Sequence, residues 1–171
     1  DWVQSNPDTV DALVRALVRS AEWADQPENR TELAQLLSGE NHVGASFDIL
    51  RASLLGRPVL KPGDNPIEAP DRHVFYRYTA TFPWLSQGAW VGTQMQRWGQ
   101  VDASVDFGTL ISDIYRPDLY RRAVKGLDVA LPHDDWRVEG ANDAADRAFV
   151  GPDAFLDNSI FDMRSFAGVG E

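Results

Sequence analysis

The side chains best suited to holding a small ligand are gathered between Phe82 and Gly99. Trp84, Trp90 and Trp98, three of the six tryptophans, fall within fifteen positions, behind a Phe82-Pro83 break and ahead of Gly99. Ser86 is placed to cap the helix that follows, because its hydroxyl oxygen can accept from an unpaired first-turn amide. The first amides of that helix offer a site for an anion, since a helix N-terminus presents free N–H groups and a positive dipole end. Trp84 and Ser86, on the loop before the helix, are therefore expected to face a cleft and are candidate ligand-binding residues. Arg97 is the third candidate, able to pair with a carboxylate or stack on a ring.

A plainer reading stands beside each of these. Aromatics at helical spacing usually bury large areas in a core, and Trp90 and Trp98, the latter on one stripe with Val91 and Met95, are read that way. A structural ion pair is the plain use of Arg97. His133-Asp134-Asp135 has metal-compatible types, but three adjacent residues in an irregular stretch cannot all point inward, and no loop has calcium-ligand periodicity. It reads as solvated loop, as do Asp64, Glu68 and Asp71. Arg116, Arg121 and Arg122 read as a solvated helix face, with Asp118 and Arg122 at the favourable i,i+4 spacing. The sequence has no Gly-x-Ser-x-Gly elbow, cysteine nucleophile, phosphate-cradling glycine loop or His-Glu-x-x-His. An enzyme is not expected, nor a metal or a cofactor.

The elements that position these residues follow from periodicity and punctuation. Asn6-Pro7-Asp8 starts a helix with a capping amide, a first-turn proline and an acid at the positive dipole end. Val10, Leu13, Val14, Leu17, Val18 and Ala21 then form its apolar face. A second helix is expected from Pro27, burying Leu33, Leu36 and Leu37, and a third over 47–55. Together these helices occupy 7–56. Prolines 58, 62, 66 and 70 make 57–73 an irregular strap with room for one edge strand. The tryptophan region occupies 74–100, opening with a short strand over 74–81. The rest, 101–171, is expected to hold helices near 106–114 and 117–125, one helical turn around 143–148, and an acidic irregular tail.

At 171 residues the chain is one domain's worth, with 43% hydrophobic and 25% charged residues. The net charge of −10 repels phosphate backbones and anionic lipid, which argues against nucleic-acid and membrane-surface partners. It does not argue against a small anion held by a few local donors. Without cysteine, disulfides are excluded and the compartment is left open.

The stretch FPWLSQGAWVGTQMQRWGQ resembles the Pro-aromatic-x-Ser…Trp…Arg-Trp-Gly signature of the nitrate- and bicarbonate-binding receptors of ABC importers. Residues 1–37 are similar to the segment by which those receptors leave one lobe and build helices on the other. Residues 114–123, IYRPDLYRRA, are similar to their late arginine- and tyrosine-bearing helix. Phe161-Asp162 fits their ending, with Met163 where they carry proline. The resemblance implies a mainly α segment, with a few short strands, from the C-terminal part of a two-lobed α/β periplasmic-binding-protein fold. It implies hinge closure on nitrate, nitrite or a similar small oxyanion, importer membrane subunits as partners, and a periplasmic location. The same fold serves cytoplasmic nitrate and nitrite sensors that regulate an antiterminator, which is the alternative; a free-standing helical interaction module is a third. On this reading residues 1–171 are one segment of a longer protein. The apolar faces so uncovered are expected to meet the missing N-terminal half, or a second copy through Phe82, Trp84 and the Val10/Leu17 face.

Overall fold

Pro7 and Asp8 start the longest helix as their types require, and the computed structural model places α2 over Pro7–Asp25, after a single turn α1 (Trp2–Ser5). The structure describes residues 2–141, 151 and 153–163. A 3-10 turn (Pro27–Asn29) leads into α3 (Arg30–Leu37), then come α4 (Phe47–Leu54), α5 (Leu85–Arg97), α6 (Phe107–Ile114) and α7 (Pro117–Ala123). No helix among the described residues is long and apolar enough to cross a membrane. The fold is mainly helical, and the described residues contain no strand, only an isolated antiparallel bridge between Glu139 and Phe161. The turn expected around 143–148 lies outside the described residues.

Two compact units are distinguishable, one of Asp1–Arg15 with Phe82–Glu171 and one of Ala16–Thr81. In the first, α5 packs on α6 around Leu85, Ala89, Phe107, Ile111 and Phe161. The face α5 buries is not the expected one. Leu85, Ser86, Gly88, Ala89 and Gly92 are buried, while Val91 is 43% and Trp98 65% exposed. The reason is steric: a Cβ on Gly88 would lie 2.7 Å from the Tyr115 ring, and one on Gly92 2.7 Å from the Phe107 ring. Small residues on that stripe let the bulky groups of α6 come close, so Val91 and Trp98 are left outside, while Trp90 is half-buried against the core as expected and stacks on Phe155. Gly99 (φ 68°) ends α5 as expected, its amide on the Gln96 carbonyl and that of Gln100 on Met95, a Schellman arrangement. Asp106 caps α6 by accepting from the Gly108 amide at 2.9 Å. Arg122 reaches Asp11 at 2.7 Å rather than Asp118, which instead pairs with Arg116 at 2.6 Å.

In the second unit, α3 packs on α4. Ala34 and Arg30 are the buried residues of α3, and Leu36, expected inside, is 52% exposed. Along α2, Val18 is buried and Leu17 is exposed, so the apolar face is only partly covered. The strap is irregular and tied at its base, where the Ala69 amide donates to the Gly56 carbonyl at 2.7 Å. Residues 74–81 form turns in place of the expected strand, with Tyr78 and Thr79 both at positive φ. Alternation of aromatic and polar residues there is overridden by a buried carboxylate that gathers the backbone.

Candidate functional site

The start of α5 is where the sequence concentrates ligand-competent side chains, and the structure fills it from within the chain. Trp84 is the N-cap residue, without a capping side-chain bond. Ser86 sits inside the first turn rather than before it, so the expected cap does not form. Its hydroxyl donates to Glu139 Oε1 at 2.6 Å and accepts from the Arg137 amide at 3.3 Å. The Leu85 amide donates to the Asp135 carbonyl at 3.0 Å. Residues 135–139 thus run against the first turn of α5, supplying a carbonyl and a carboxylate where the helix dipole favours negative charge.

Charge is balanced locally. Arg137 clasps Glu139 with Nε and Nη2, at 3.0 and 2.8 Å, and its guanidinium lies 5.2 Å from the Trp84 ring centre. Glu139, Ser86 and Trp84 are each at most 5% exposed. Trp84 Nε1 is buried and meets no acceptor among the described residues. Phe82 packs edge-on against both Trp84 and Tyr120, and Arg121 lies over the Phe82 ring while pairing with Asp135 at 2.7 Å. Trp84 and Ser86 were expected at a site, and Arg121 and Asp135 only as solvated surface; Arg137 and Glu139 were not singled out, because their bonds to Ser86 span some fifty positions and have no local spacing to betray them.

A second buried polar cluster lies in the other unit. Asp25 accepts from the Tyr76 and Arg77 amides at 3.1 and 2.7 Å, from Arg30 at 2.5 Å, and from the Arg77 guanidinium. Burial pushes its carboxyl up, but the amides of Arg77, Tyr76 and Phe75 and the charge of Arg77 outweigh this and hold it below the usual value. Burial chiefly lowers Arg30 from its ordinary range, and lowers His73 with help from the Arg72 and Arg30 charges. Arg30 stacks over Phe75 at 4.8 Å, and His73 meets the Ser53 hydroxyl at 2.9 Å. Two guanidiniums on one carboxylate make a brace, within which Arg30 Nη1 is buried and meets no acceptor among the described residues.

Open grooves lie elsewhere. One, of 1180 Å³, is bordered by Gln96, Phe107, Trp136, Asp106, Asp134 and Asp135, and among the described residues no lysine or arginine lines it. Its charge is wrong for an anion. Among the described residues no group of three His, Cys, Asp or Glu is placed to hold a metal. His133 is solvated and touches Asp134, while Asp135 turns to Arg121.

The three sequence candidates are therefore separated in kind. Trp84 and Ser86 share one buried network, whereas Arg97 is exposed at the far end of α5, where its charge adds to the Ser159 hydroxyl and amide that chiefly hold the Asp157 carboxyl low. Of the residues expected on a face meeting the missing half or a second copy, Phe82, Trp84 and Val10 are 3%, 4% and 8% exposed, whereas Leu17 is 61% exposed.

The NMT1-like family matches residues 1–38. The nitrate/nitrite binding protein NrtA of Synechocystis sp. strain PCC 6803 is 30% identical over 166 residues, which is 92% of this chain and 36% of that protein. The nitrate import ATP-binding protein NrtC of the same organism is 32% identical over 130 residues, covering 74% of this chain and 19% of its own length. The crystal structure of the periplasmic nitrate-binding protein NrtA from that organism superposes with a TM-score of 0.82 at 26% identity, over 96% of this chain and 40% of the other. The chain thus spans little more than a third of the NrtA sequence it matches.

Proposed function

We infer that this relative of the nitrate/bicarbonate-type solute-binding proteins of ABC importers is one segment, residues 1–171, of a receptor for nitrate, nitrite or a similar small oxyanion. The whole receptor would close on its anion by hinge motion, the ligand shifting an open/closed equilibrium that importer membrane subunits then read. A periplasmic location goes with that role, and the relatives' names favour it over the cytoplasmic sensor. No covalent step is needed, and no catalytic role is proposed.

The observation that carries this reading is the backbone likeness to the nitrate-binding protein over 40% of its length. The chemistry of the start of α5 supports a scaffold role for this segment. For Ser86 to hold an anion it would have to surrender the Glu139 carboxylate, and Trp84 has only 4% of its surface exposed. We therefore assign Trp84 and Ser86 to holding the frame. Arg97 is the candidate whose charge faces outward. The anion's main contacts would come from polypeptide outside this segment.

Calorimetry tests this directly. The 171-residue chain should give no heat with nitrate, nitrite or bicarbonate, and the full-length receptor should bind one of them. Tight nitrate binding by the chain alone would overturn the assignment of the pocket.

A further inference from the structure

A second groove, of 580 Å³, runs along the part of α2 that lies in the unit Ala16–Thr81. Leu17, Ala21, Trp23, Ala24, Leu33 and Phe75 form its walls. Its polar contributions are small: Arg19 is exposed, and the Ser20 hydroxyl is already bonded to the Ala16 carbonyl at 2.8 Å. Apart from the exposed Arg19 and the indole of Trp23 its walls are apolar, so the groove suits an apolar occupant better than a small oxyanion. Leu17 is 61% exposed although it immediately precedes the buried Val18. A helix rarely carries a broader apolar face than its surroundings cover unless something else packs there.

We propose that this groove seats an apolar segment supplied by receptor polypeptide outside the span matched here, so that α2 packs on both of its apolar edges in the complete protein. The proposal rests on the receptor reading above. The occupant follows from length and chemistry together. The chain spans 36% of its binding-protein relative and superposes on 40% of the solved one, so most of such a receptor lies outside it. A solvent-facing groove with mostly apolar walls suits that polypeptide better than it suits a small oxyanion.

The absence of cysteine gives a clean assay. Leu17→Cys would be made both in the 171-residue chain and in the full-length receptor, with Glu22→Cys, exposed and outside the groove, as control. The rate of labelling by a maleimide is then measured. The proposal expects Leu17→Cys to label about tenfold or more slowly in the full-length receptor than in the chain, the control changing little. Equal labelling of Leu17→Cys in both proteins would overturn it. So would protection in the short chain that disappears on dilution, which would mean that a second copy fills the groove. Nitrate binding by the same full-length protein separates this from the function: binding without protection sinks the groove alone, and protection without binding sinks the anion receptor alone.

Discussion

Ser86 and Glu139 lie 53 residues apart and are joined by a 2.6 Å hydrogen bond in which neither residue is more than 5% exposed. That bond fixes the segment carrying Arg137 against the first turn of α5. Glu139→Ala removes the carboxylate from a guanidinium that is 17% exposed and leaves it unpaired. The expected cost is about 3–5 kcal/mol, read as a lowered urea midpoint. Ser86→Ala, which leaves the ion pair intact, should cost about 1–3 kcal/mol.

Asp25 gives the fold an acid limit. Its carboxyl titrates below the ordinary aspartate range, so its contribution is fully present above that range and is lost as pH falls through the lower folded value. Urea midpoints followed downward from about pH 5 should fall for the native sequence. In Asp25→Asn the same slope should flatten, because the titrating group is gone. At neutral pH that variant should be about 3–5 kcal/mol less stable, since Arg30 then lacks its counter-charge.

The contact between α5 and α6 has no room for a methyl group. Gly92→Ala would drive a Cβ into the buried Phe107 ring, at 2.7 to 3.0 Å from three of its atoms. Overpacking of this kind costs about 1–3 kcal/mol, measured as a drop in melting temperature. Gln87→Ala, on the exposed side of the same helix, should stay within about 0.5 kcal/mol.

The two ends of the tryptophan helix should respond oppositely to truncation. Trp84→Ala empties a buried site and should cost about 3–5 kcal/mol. Trp98→Ala, at a side chain 65% exposed, should fall within about 0.5 kcal/mol. Acrylamide quenching of the native chain should lose its most accessible component in Trp98→Ala and keep it in Trp84→Phe.

Local signals carried the helices well. Proline and acid at Pro7-Asp8, glycine at Gly99 and the aspartate at Asp106 each act within a few residues, and all three appear as helix boundaries near the expected places. What periodicity did not disclose is which stripe of a helix meets a neighbour. On α5 that depended on Phe107 and Tyr115, which need the room left by Gly88 and Gly92. The strand read over 74–81 failed for a related reason, because Asp25, some fifty positions away, captures two of its amides. Ser86 was recognised as ligand-competent, but its partners Arg137 and Glu139 come from a remote segment. The similarity of FPWLSQGAWVGTQMQRWGQ to anion receptors was legible all the same, since a signature of that kind does not depend on which face is buried.

The Asp25 brace makes the last turn of α2 and the backbone at 76–77 a single cooperative object. Fraying of that helix end withdraws the acceptor from both amides together. Tyr76 and Arg77 should therefore exchange their amide hydrogens in step with each other and with the terminal turn of α2, so that two residues in a turn segment report the breathing of a helix fifty positions upstream.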